Sequence, residues 1–323
     1  MAEKKIPLLI TGGMPDYLME NIRTEGYDMV HIENPTDEEL AAAEVIVGFP
    51  PVPRLASATN LKWLQIPWSG ADGYADHPDF PAHVTLTNAT GAFGRPIAEY
   101  AFGAVFTLMR RFHQYRDCQK EQKWERQGDE MSPTGKHVLI LGAGDIGTNT
   151  ARLFKMMDCH ITGVRRVVRE IPAEFDAMIT LAQVDDVLPQ ADIVICCMPH
   201  TPQTQGFMNR QRLESMKETA ILVNVGRGTL IDHDALADVL NAGKIYGAAL
   251  DVTCPEPLPQ EHPLWKCRNV MITPHISGQT FAGLKDKENF FFQVCRENLE
   301  NYLAGKPLQN QVDLKTGYRV TTN

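Results

Sequence analysis

This sequence of 323 residues has no long apolar run at its start and no excess of positive charge. Its 31 Lys and Arg face 40 Asp and Glu, a formal net charge of −9, so no overall positive field would attract nucleic acid or an anionic membrane. The start MAEKKIPLLITGG carries only a very short apolar run, interrupted by Pro7, and is typical of a first strand rather than a signal peptide. We therefore expect neither nucleic acid nor a membrane as a partner.

Paired cysteines are absent as well. The seven cysteines are odd in number and scattered, with no CxxC pair and no metal-ligand spacing. This pattern favours neither a disulfide framework nor a metal site, and free thiols fit a reducing compartment. We expect a cytoplasmic protein that holds no metal.

The chain does have enough apolar residues for more than one core, since 43% are hydrophobic and 22% charged. A length of 323 residues is long for a single core, which favours two domains. Short apolar runs separated by helical or turn-like stretches indicate a small α/β unit at the start. These runs are residues 6–11, 28–32, 44–48 and 61–66. A longer pattern from Ile97 to Phe112, just after Pro96, predicts a linking helix.

From His137 onward the pattern becomes a regular alternation of continuous apolar strands and helices, which indicates a parallel sheet covered on both faces. The predicted strand segments are residues 137–144, 160–165, 191–199, 220–226, 247–252 and 269–275. A further helix-like segment, Phe281 to Leu303, is ended by Gly305 and Pro307. We predict an α/β fold of two Rossmann-like or flavodoxin-like domains with parallel sheets and a cleft between them. The predicted domains are a discontinuous substrate-binding domain of residues 1–96 and 282–323, and a dinucleotide-binding domain of residues 97–281.

A glycine-rich turn connects the strand His137–Leu141 to the next helix, as a dinucleotide-binding fingerprint requires. Gly142 allows the tight turn, Gly144 lets the backbone approach a pyrophosphate, and Gly147 lets helix and strand pack closely. The helix start offers N–H groups to phosphates, although the Asp145 carboxylate does not help that anion. The alternative is a glycine turn that binds nothing. The predicted cofactor-binding residues here are Gly142, Gly144, Asp145, Ile146 and Gly147.

Two arginines follow the second strand of this unit, where an acidic residue would accept hydrogen bonds from the adenosine ribose. Arg165 and Arg166 can instead pair with a 2′-phosphate, which a carboxylate would repel. The sequence therefore favours NADP, with NAD as a possible cofactor. The alternative is that both arginines are solvated surface residues.

Three later segments, VNVGRG (223–228), LDVTCPEPLP (250–259) and ITPHISG (272–278), each place a polar residue just beyond an apolar strand. Ligands of open parallel sheets bind outside the carboxyl ends of the strands, so Arg227, Glu256 and His275 could converge. Each residue alone also has an ordinary interpretation. Arg227 could lie in a turn, Glu256 in a solvated loop, and His275 in a core behind Pro274.

The chain resembles the D-isomer-specific 2-hydroxyacid dehydrogenases, the family that includes glyoxylate/hydroxypyruvate reductases and phosphoglycerate dehydrogenases. The resemblance covers roughly Glu44 to Leu308 and rests on several motifs in the right order. These motifs are WSGADG (68–73), TNATGAFGRPIAEYAF (87–102), GAGDIG (142–147), CMPHTPQT (197–204), VNVGRGTLID (223–232), DVTCPEPLP (251–259) and TPHISG (273–278).

The resemblance implies an Arg–Glu–His catalytic set at Arg227, Glu256 and His275. Reduction of a 2-keto acid needs a hydride from the nicotinamide, a proton for the alkoxide and an anchor for the carboxylate. His275 would give the proton because imidazole titrates near neutral pH. Glu256 would hold the other ring nitrogen, and Arg227 would bind the carboxylate and carbonyl oxygen. Backbone N–H groups at the substrate-binding residues Ser69, Gly70 and Ala71 would add to the carboxylate site.

The family motifs also imply further cofactor-binding residues and an oligomer. Asp251 would orient the site or the cofactor. A homodimer would form through the dinucleotide domain, with the arm in Tyr115–Ser132, which contains Trp124. The further cofactor-binding residues are His200, Thr204, Val225, Asp251 and Ser277.

Departures from family patterns narrow the function. Arg165 stands where many NAD-dependent relatives carry aspartate, and Glu256 rather than glutamine argues against formate dehydrogenase activity. We expect an NAD(P)-dependent reductase of a small 2-keto acid such as glyoxylate or hydroxypyruvate. The alternative is a dinucleotide-binding corepressor-like protein without significant turnover; relatives of that type carry long extra tails, which favours the enzyme. Whether Arg95, Trp68 and Trp124 line the pocket or only pack stays open.

Overall fold

The computed structural model describes residues 5–12, 14, 17–71, 73–278, 289–317 and 319–320. The chain divides into a first unit of Met1–Phe93 with Thr280–Asn323 and a second unit of Gly94–Gln279. The predicted boundary after Pro96 thus lies three residues past the observed one, because a helix already begins at Gly94. The predicted boundary at 281–282 lies outside the described residues.

The strands in the described parts of the chain alternate with helices throughout. In chain order the strands are β1 (Ile6–Thr11), β2 (Tyr27–His31), β3 (Val45–Gly48), β4 (Trp63–Gln65), β5 (Thr85–Thr87), β6 (His137–Leu141), β7 (His160–Val164), β8 (Ala177–Ile179), β9 (Ile193–Cys196), β10 (Ile221–Asn224), β11 (Gly247–Leu250) and β12 (Val270–Ile272). The helices are α1 (Tyr17–Asn21), α2 (Asp37–Ala42), α3 (Gly94–Met109), α4 (Phe112–Lys120), α5 (Asp145–Lys155), α6 (Val184–Val187), α7 (Arg210–Ser215), α8 (His233–Asn241) and α9 (Phe290–Leu303).

The first unit is built on a parallel sheet in the order β2-β1-β3-β4-β5. Apolar side chains cover both faces of this sheet, and α9 packs on one of them. Tyr27 donates to the Leu299 carbonyl at 2.7 Å, and the Trp63 ring stacks on Tyr302 at 5.4 Å between centroids. The C-terminal helix is therefore an integral part of this unit.

The second unit contains a parallel sheet in the order β12-β11-β10-β9-β6-β7-β8. The chain runs outward from β6 through β7 to β8, then returns to place β9 on the other side of β6. The strand order reverses there, and in parallel sheets such a reversal opens a crevice at the carboxyl ends of the strands. The prediction of an α/β fold with two parallel sheets is confirmed.

Helix α3 packs against α5, where the fully buried Phe154 meets Phe102 edge to face at 5.1 Å between centroids. The prediction of one helix from Ile97 to Phe112 was wrong at its end. The helix stops at Met109, because Arg111 adopts a left-handed backbone with φ of 55°, and α4 starts after it.

The predicted helix from Phe281 to Leu303 is described from Phe290 onward, where the Asn289 side chain caps α9 by accepting from the Phe291 N–H. Residues 281–288 lie outside the described part of the chain. None of the helices described here has the length and apolar character needed to span a bilayer.

Candidate active site

The loops that follow β6, β9 and β10 touch one another at the carboxyl edge of the second sheet. Gly142 has a φ of +106°, and a Cβ there would lie 2.9 Å from the Cys197 carbonyl carbon. A Cβ at Gly226 would lie 2.6 Å from the Met198 carbonyl oxygen. Only glycine permits these backbones to approach so closely. The glycine turn and the Arg227 loop are thereby joined through the loop after β9.

The turn fits a pyrophosphate. Gly144 is the N-cap of α5 and supplies no side-chain cap, whereas Asp232 caps α8 by accepting from the Ala235 N–H at 3.0 Å. A Cβ at Gly144 would meet nothing within 4 Å. The start of α5 therefore presents backbone N–H groups and open space to an anion, as a dinucleotide requires.

Asp145 turns away from that position. Its carboxylate accepts from the Asn149 side chain at 3.1 Å, and a Cβ at Gly94 would lie 2.5 Å from Asp145 Oδ2. The acid thus packs at the start of α3, and the half-buried Ile146 follows it in the first turn of α5.

Arg165 lies against the glycine turn. Its Nε donates to the Ala143 carbonyl oxygen at 2.8 Å, while its backbone N–H bonds Ile179. Arg166 beside it is exposed. A guanidinium is therefore positioned at the end of β7, where a dinucleotide-binding unit meets the adenosine ribose.

His275 and Glu256 form a direct pair in the second unit. His275 Nδ1 lies 3.1 Å from Glu256 Oε2, and the other carboxylate oxygen accepts from the Thr253 N–H at 3.1 Å. A carboxylate can only accept, so Nδ1 carries the proton and Nε2 is the nitrogen that can act on a substrate. The side chains are 54% and 42% exposed, so the pair adds little to folding stability and its geometry is the informative feature.

Asp251 anchors the loop that carries His275. Its side chain is buried, and its carboxylate accepts from Thr273 Oγ1 at 2.7 Å and from the N–H groups of Ile276 at 2.8 Å and Ser277 at 2.9 Å. The His275 backbone is left-handed, with φ of 54°, and its N–H bonds the Asp251 carbonyl at 2.8 Å. The buried acid thus fixes where the imidazole projects.

Arg227 lies in the loop after β10 and is fixed by a buried amide. The Asn224 side chain donates to the Arg227 carbonyl at 3.0 Å and accepts from the Gly226 N–H at 3.1 Å. Arg227 Nη1 donates to the Gly226 carbonyl at 2.8 Å. The structure therefore places Arg227, Glu256 and His275 in loops after three neighbouring strands, β10, β11 and β12.

Of the remaining predicted cofactor residues, one is exposed and three are buried. His200 is exposed and its Nδ1 contacts Thr229 Oγ1 at 2.8 Å. Thr204 is buried and donates to the Pro199 carbonyl at 2.7 Å, so its hydroxyl serves its own loop. Val225 is also buried, as is Ser277, which contributes its backbone N–H to Asp251.

Ser69, Gly70 and Ala71 lie in the first unit, where the Asn88 side chain donates to the Ser69 carbonyl at 2.7 Å. No described acceptor pairs with the backbone N–H groups of these three residues. Trp68 packs on Phe49, with 4.8 Å between ring centroids. Its carbonyl accepts from the Ala89 N–H, and no described polar group bonds the Trp68 side chain.

Comparison with known protein families identifies the family of this chain. The model of the family described as "D-isomer specific 2-hydroxyacid dehydrogenase, NAD binding domain" matches residues 102–277. The chain belongs to this family. The family resemblance and the nicotinamide dinucleotide as cofactor class are confirmed.

Individual relatives span almost the whole chain. A glyoxylate/hydroxypyruvate reductase A of Escherichia fergusonii is 30% identical over 84% of this chain and 86% of its own length. A solved D-isomer specific 2-hydroxyacid dehydrogenase family protein of Aeromonas salmonicida is 32% identical, covers 96% of this chain and 100% of its own, and has a TM-score of 0.85. A family member of Xanthobacter autotrophicus solved with NADPH and MES is 26% identical, with a TM-score of 0.82 over 98% of this chain and 100% of its own.

Sequence reasoning missed Asn224, Thr253 and Thr273, which hold the proposed dehydrogenase residues in place. The sequence does point to Asn224, because an amide at the end of a buried apolar strand needs a hydrogen-bond partner. It does not point to Thr253 or Thr273, because their hydrogen-bond partners depend on the loop conformation. Among the described residues, no three His, Cys, Asp or Glu side chains form a metal site.

Proposed function

We propose that this protein is an NADP-preferring dehydrogenase that reduces a small 2-keto acid such as glyoxylate or hydroxypyruvate. The observation that carries the proposal is the His275–Glu256 pair at 3.1 Å, in the same unit as the glycine turn. The relative from Escherichia fergusonii named glyoxylate/hydroxypyruvate reductase A supports this substrate class.

The bound nicotinamide supplies the hydride, and the protein supplies the proton. In the proposed reaction His275 Nε2 protonates the carbonyl oxygen as negative charge develops on it. Glu256 accepts the Nδ1 hydrogen and holds the ring orientation, which leaves Nε2 facing the substrate. The Thr253 N–H fixes the carboxylate, so the ring cannot turn without breaking its hydrogen bond to Glu256.

The proposed substrate carboxylate is bound by Arg227, whose guanidinium can form two parallel hydrogen bonds to it. This anchoring fixes the keto carbon for hydride attack. We further propose that backbone N–H groups of Ser69, Gly70 and Ala71 bind the same class of anion. The first unit then serves substrate binding and the second unit binds the dinucleotide.

The proposal is tested by NADPH oxidation with glyoxylate, hydroxypyruvate, pyruvate and a bulkier phenyl or branched keto acid. Turnover of at least one small acid is expected, and His275→Ala should lower kcat by about 10²- to 10⁴-fold, the usual contribution of general acid catalysis. Exposed His83→Ala is the matched control and should keep full activity. No turnover on any acid, or full turnover by His275→Ala, contradicts the proposal.

The cofactor preference rests on Arg165, which the contact with Ala143 places at the glycine turn. Arg165→Asp removes a charge-assisted contact worth about 1.5–3 kcal/mol, so kcat/KM for NADPH should fall about ten- to hundredfold relative to NADH. Arg23→Asp makes the same charge change on an exposed position of the first unit and should leave the ratio unaltered. An unaltered ratio in Arg165→Asp means that this arginine does not select the cofactor.

We also propose a cytoplasmic homodimer. The predicted arm is helical up to Lys120 and has no regular structure from Glu121 to Ser132, and Trp124 there is fully exposed at 102%. A second copy of the chain covering this ring is the proposed reason for its exposure. Sedimentation should give a dimer that Trp124→Ala weakens. The seven free cysteines support a reducing compartment, which cell fractionation tests.

A further inference from the structure

The Tyr100 hydroxyl on α3 contacts Thr273, two residues before His275 in the chain. Tyr100 Oη lies 2.6 Å from Thr273 Oγ1, which in turn lies 2.7 Å from Asp251 Oδ1. Tyr100 and Thr273 are 173 positions apart, and no motif connects them. The three side chains form a continuous hydrogen-bonded row from a helix to the acid that anchors the His275 loop.

The direction of this row follows from its donors. Ionised Asp251 can only accept, so the single hydroxyl hydrogen of Thr273 points to Asp251. Thr273 Oγ1 therefore accepts its other bond from Tyr100. Burial, helped by the charge of Asp251, raises the pKa of Tyr100 to about 12 despite the opposing hydrogen bond with Thr273. The phenol thus stays a donor at every pH at which the enzyme would be assayed.

The row acts on the loop that presents the imidazole. Asp251 also accepts from the N–H groups of Ile276 and Ser277, which directly follow His275. A bond from Tyr100 polarises the Thr273 hydroxyl and holds its rotamer, which strengthens its bond to Asp251. The orientation of Asp251 in turn sets the left-handed backbone at His275.

We propose that Tyr100 is a positioning residue for the proton donor His275, acting through Thr273 and Asp251. This inference rests on the proposed function. Tyr100 contributes through one hydroxyl, so Tyr100→Phe keeps the ring and its packing on α3 while removing the bond to Thr273.

The experiment combines kinetics with a double-mutant cycle. Tyr100→Phe should lower kcat with the preferred keto acid about three- to tenfold, while KM for the acid and Kd for NADPH stay within about twofold. In a Thr273→Val background Tyr100→Phe should not lower kcat further, because the hydroxyl that accepts from Tyr100 is gone. In a Thr273→Ser background, which keeps this hydroxyl, Tyr100→Phe should again lower kcat. Tyr246→Phe, whose hydroxyl reaches only the Leu108 carbonyl at 3.5 Å, is the matched control.

A second measurement does not need turnover. Hydrogen exchange of peptides covering residues 273–278 should be faster in Tyr100→Phe than in the wild type or Tyr246→Phe. If the wild type reduces no keto acid, the proposed function is wrong. Hydrogen exchange would then still test whether the Tyr100–Thr273–Asp251 hydrogen bonds hold the loop. An additive effect of Tyr100→Phe in the Thr273→Val background, or unchanged exchange in residues 273–278, overturns the positioning role.

Discussion

Asp251→Asn is the most informative single substitution for the architecture of the site. The substitution keeps the shape of the side chain and replaces one carboxylate oxygen with an NH₂ group. Both oxygens of the buried acid are in use, since Oδ1 accepts from Thr273 and Ile276 and Oδ2 accepts from Ser277. In either amide orientation, the NH₂ group faces at least one N–H donor.

The expected cost follows from these bonds. With Nδ2 in the place of Oδ2, the bond from Ser277 is lost, and a bond to a charged group is worth about 1.5–3 kcal/mol. The buried N–H left without an acceptor costs about 1–3 kcal/mol more. The free energy of unfolding should therefore fall by about 2.5–6 kcal/mol, at the upper end of single substitutions.

Urea unfolding followed by circular dichroism measures this effect. At an m-value of about 2–3 kcal/mol/M, the midpoint of the second unit should fall by about 1–3 M. The control is Asp117→Asn, whose side chain is 71% exposed and which has a loose 3.5 Å pair with Lys120; its midpoint should hardly move. If Asp251→Asn shifts the midpoint no more than Asp117→Asn does, the buried acid does not anchor this loop.

Three further predictions concern the cofactor turn, the substrate anchor and acid stability. In Gly147→Ala the new Cβ would clash with the Gly142 carbonyl oxygen at the β6–α5 junction. The affinity for NADPH, measured by fluorescence titration, should therefore weaken at least tenfold. An unchanged affinity would contradict the close packing of helix and strand at this glycine. Asn224→Ala removes both hydrogen bonds that the Asn224 side chain makes to the Arg227 loop. KM for the keto acid should therefore rise about tenfold in steady-state assays, and an unchanged KM would show that Asn224 does not position Arg227. Burial, reinforced by neighbouring His262, lowers the pKa of His233 in the folded protein. As pH falls, the His233 ring is therefore protonated in the unfolded state before it is protonated in the folded state. The stability that the neutral ring contributes is present above pH about 6.5, the ordinary pKa, and is lost as pH falls through the lower pKa of the folded state. His233→Gln should therefore flatten the drop in urea midpoint between pH 7.5 and 5.5, whereas exposed His83→Gln should not.

Most of the second sheet could be predicted from the sequence because its strands are continuous apolar runs buried on both faces. The strands β6, β7, β9, β10, β11 and β12 all lie within predicted segments. Strands β5 and β8 were not predicted. Strand β5 has one apolar side chain between two threonines, and β8 offers only the short run Ala-Met-Ile, so neither leaves a distinct pattern.

The site was predictable to the extent that it follows strand ends. Arg227, Glu256 and His275 each come just after an apolar strand, and the parallel topology brings those ends to one edge. The side chains that hold them were not predictable. Thr273 meets Tyr100 across 173 positions, and that meeting depends on how α3 packs on the sheet rather than on any local pattern.

The backbone at the end of β7 does not depend on the side chain it carries. The Arg165 N–H bonds the Ile179 carbonyl, and the Ala143 N–H bonds the Val164 carbonyl, whichever residue stands at position 165. The last buried residue of the strand is Val164, so the next side chain lies outside the core. An exchange at position 165 therefore keeps the strand hydrogen bonds and removes one side-chain bond, the one from Arg165 Nε to the Ala143 carbonyl. On the proposed role of Arg165, one exchange at this position changes the dinucleotide preference while the backbone bonds at the end of β7 are kept.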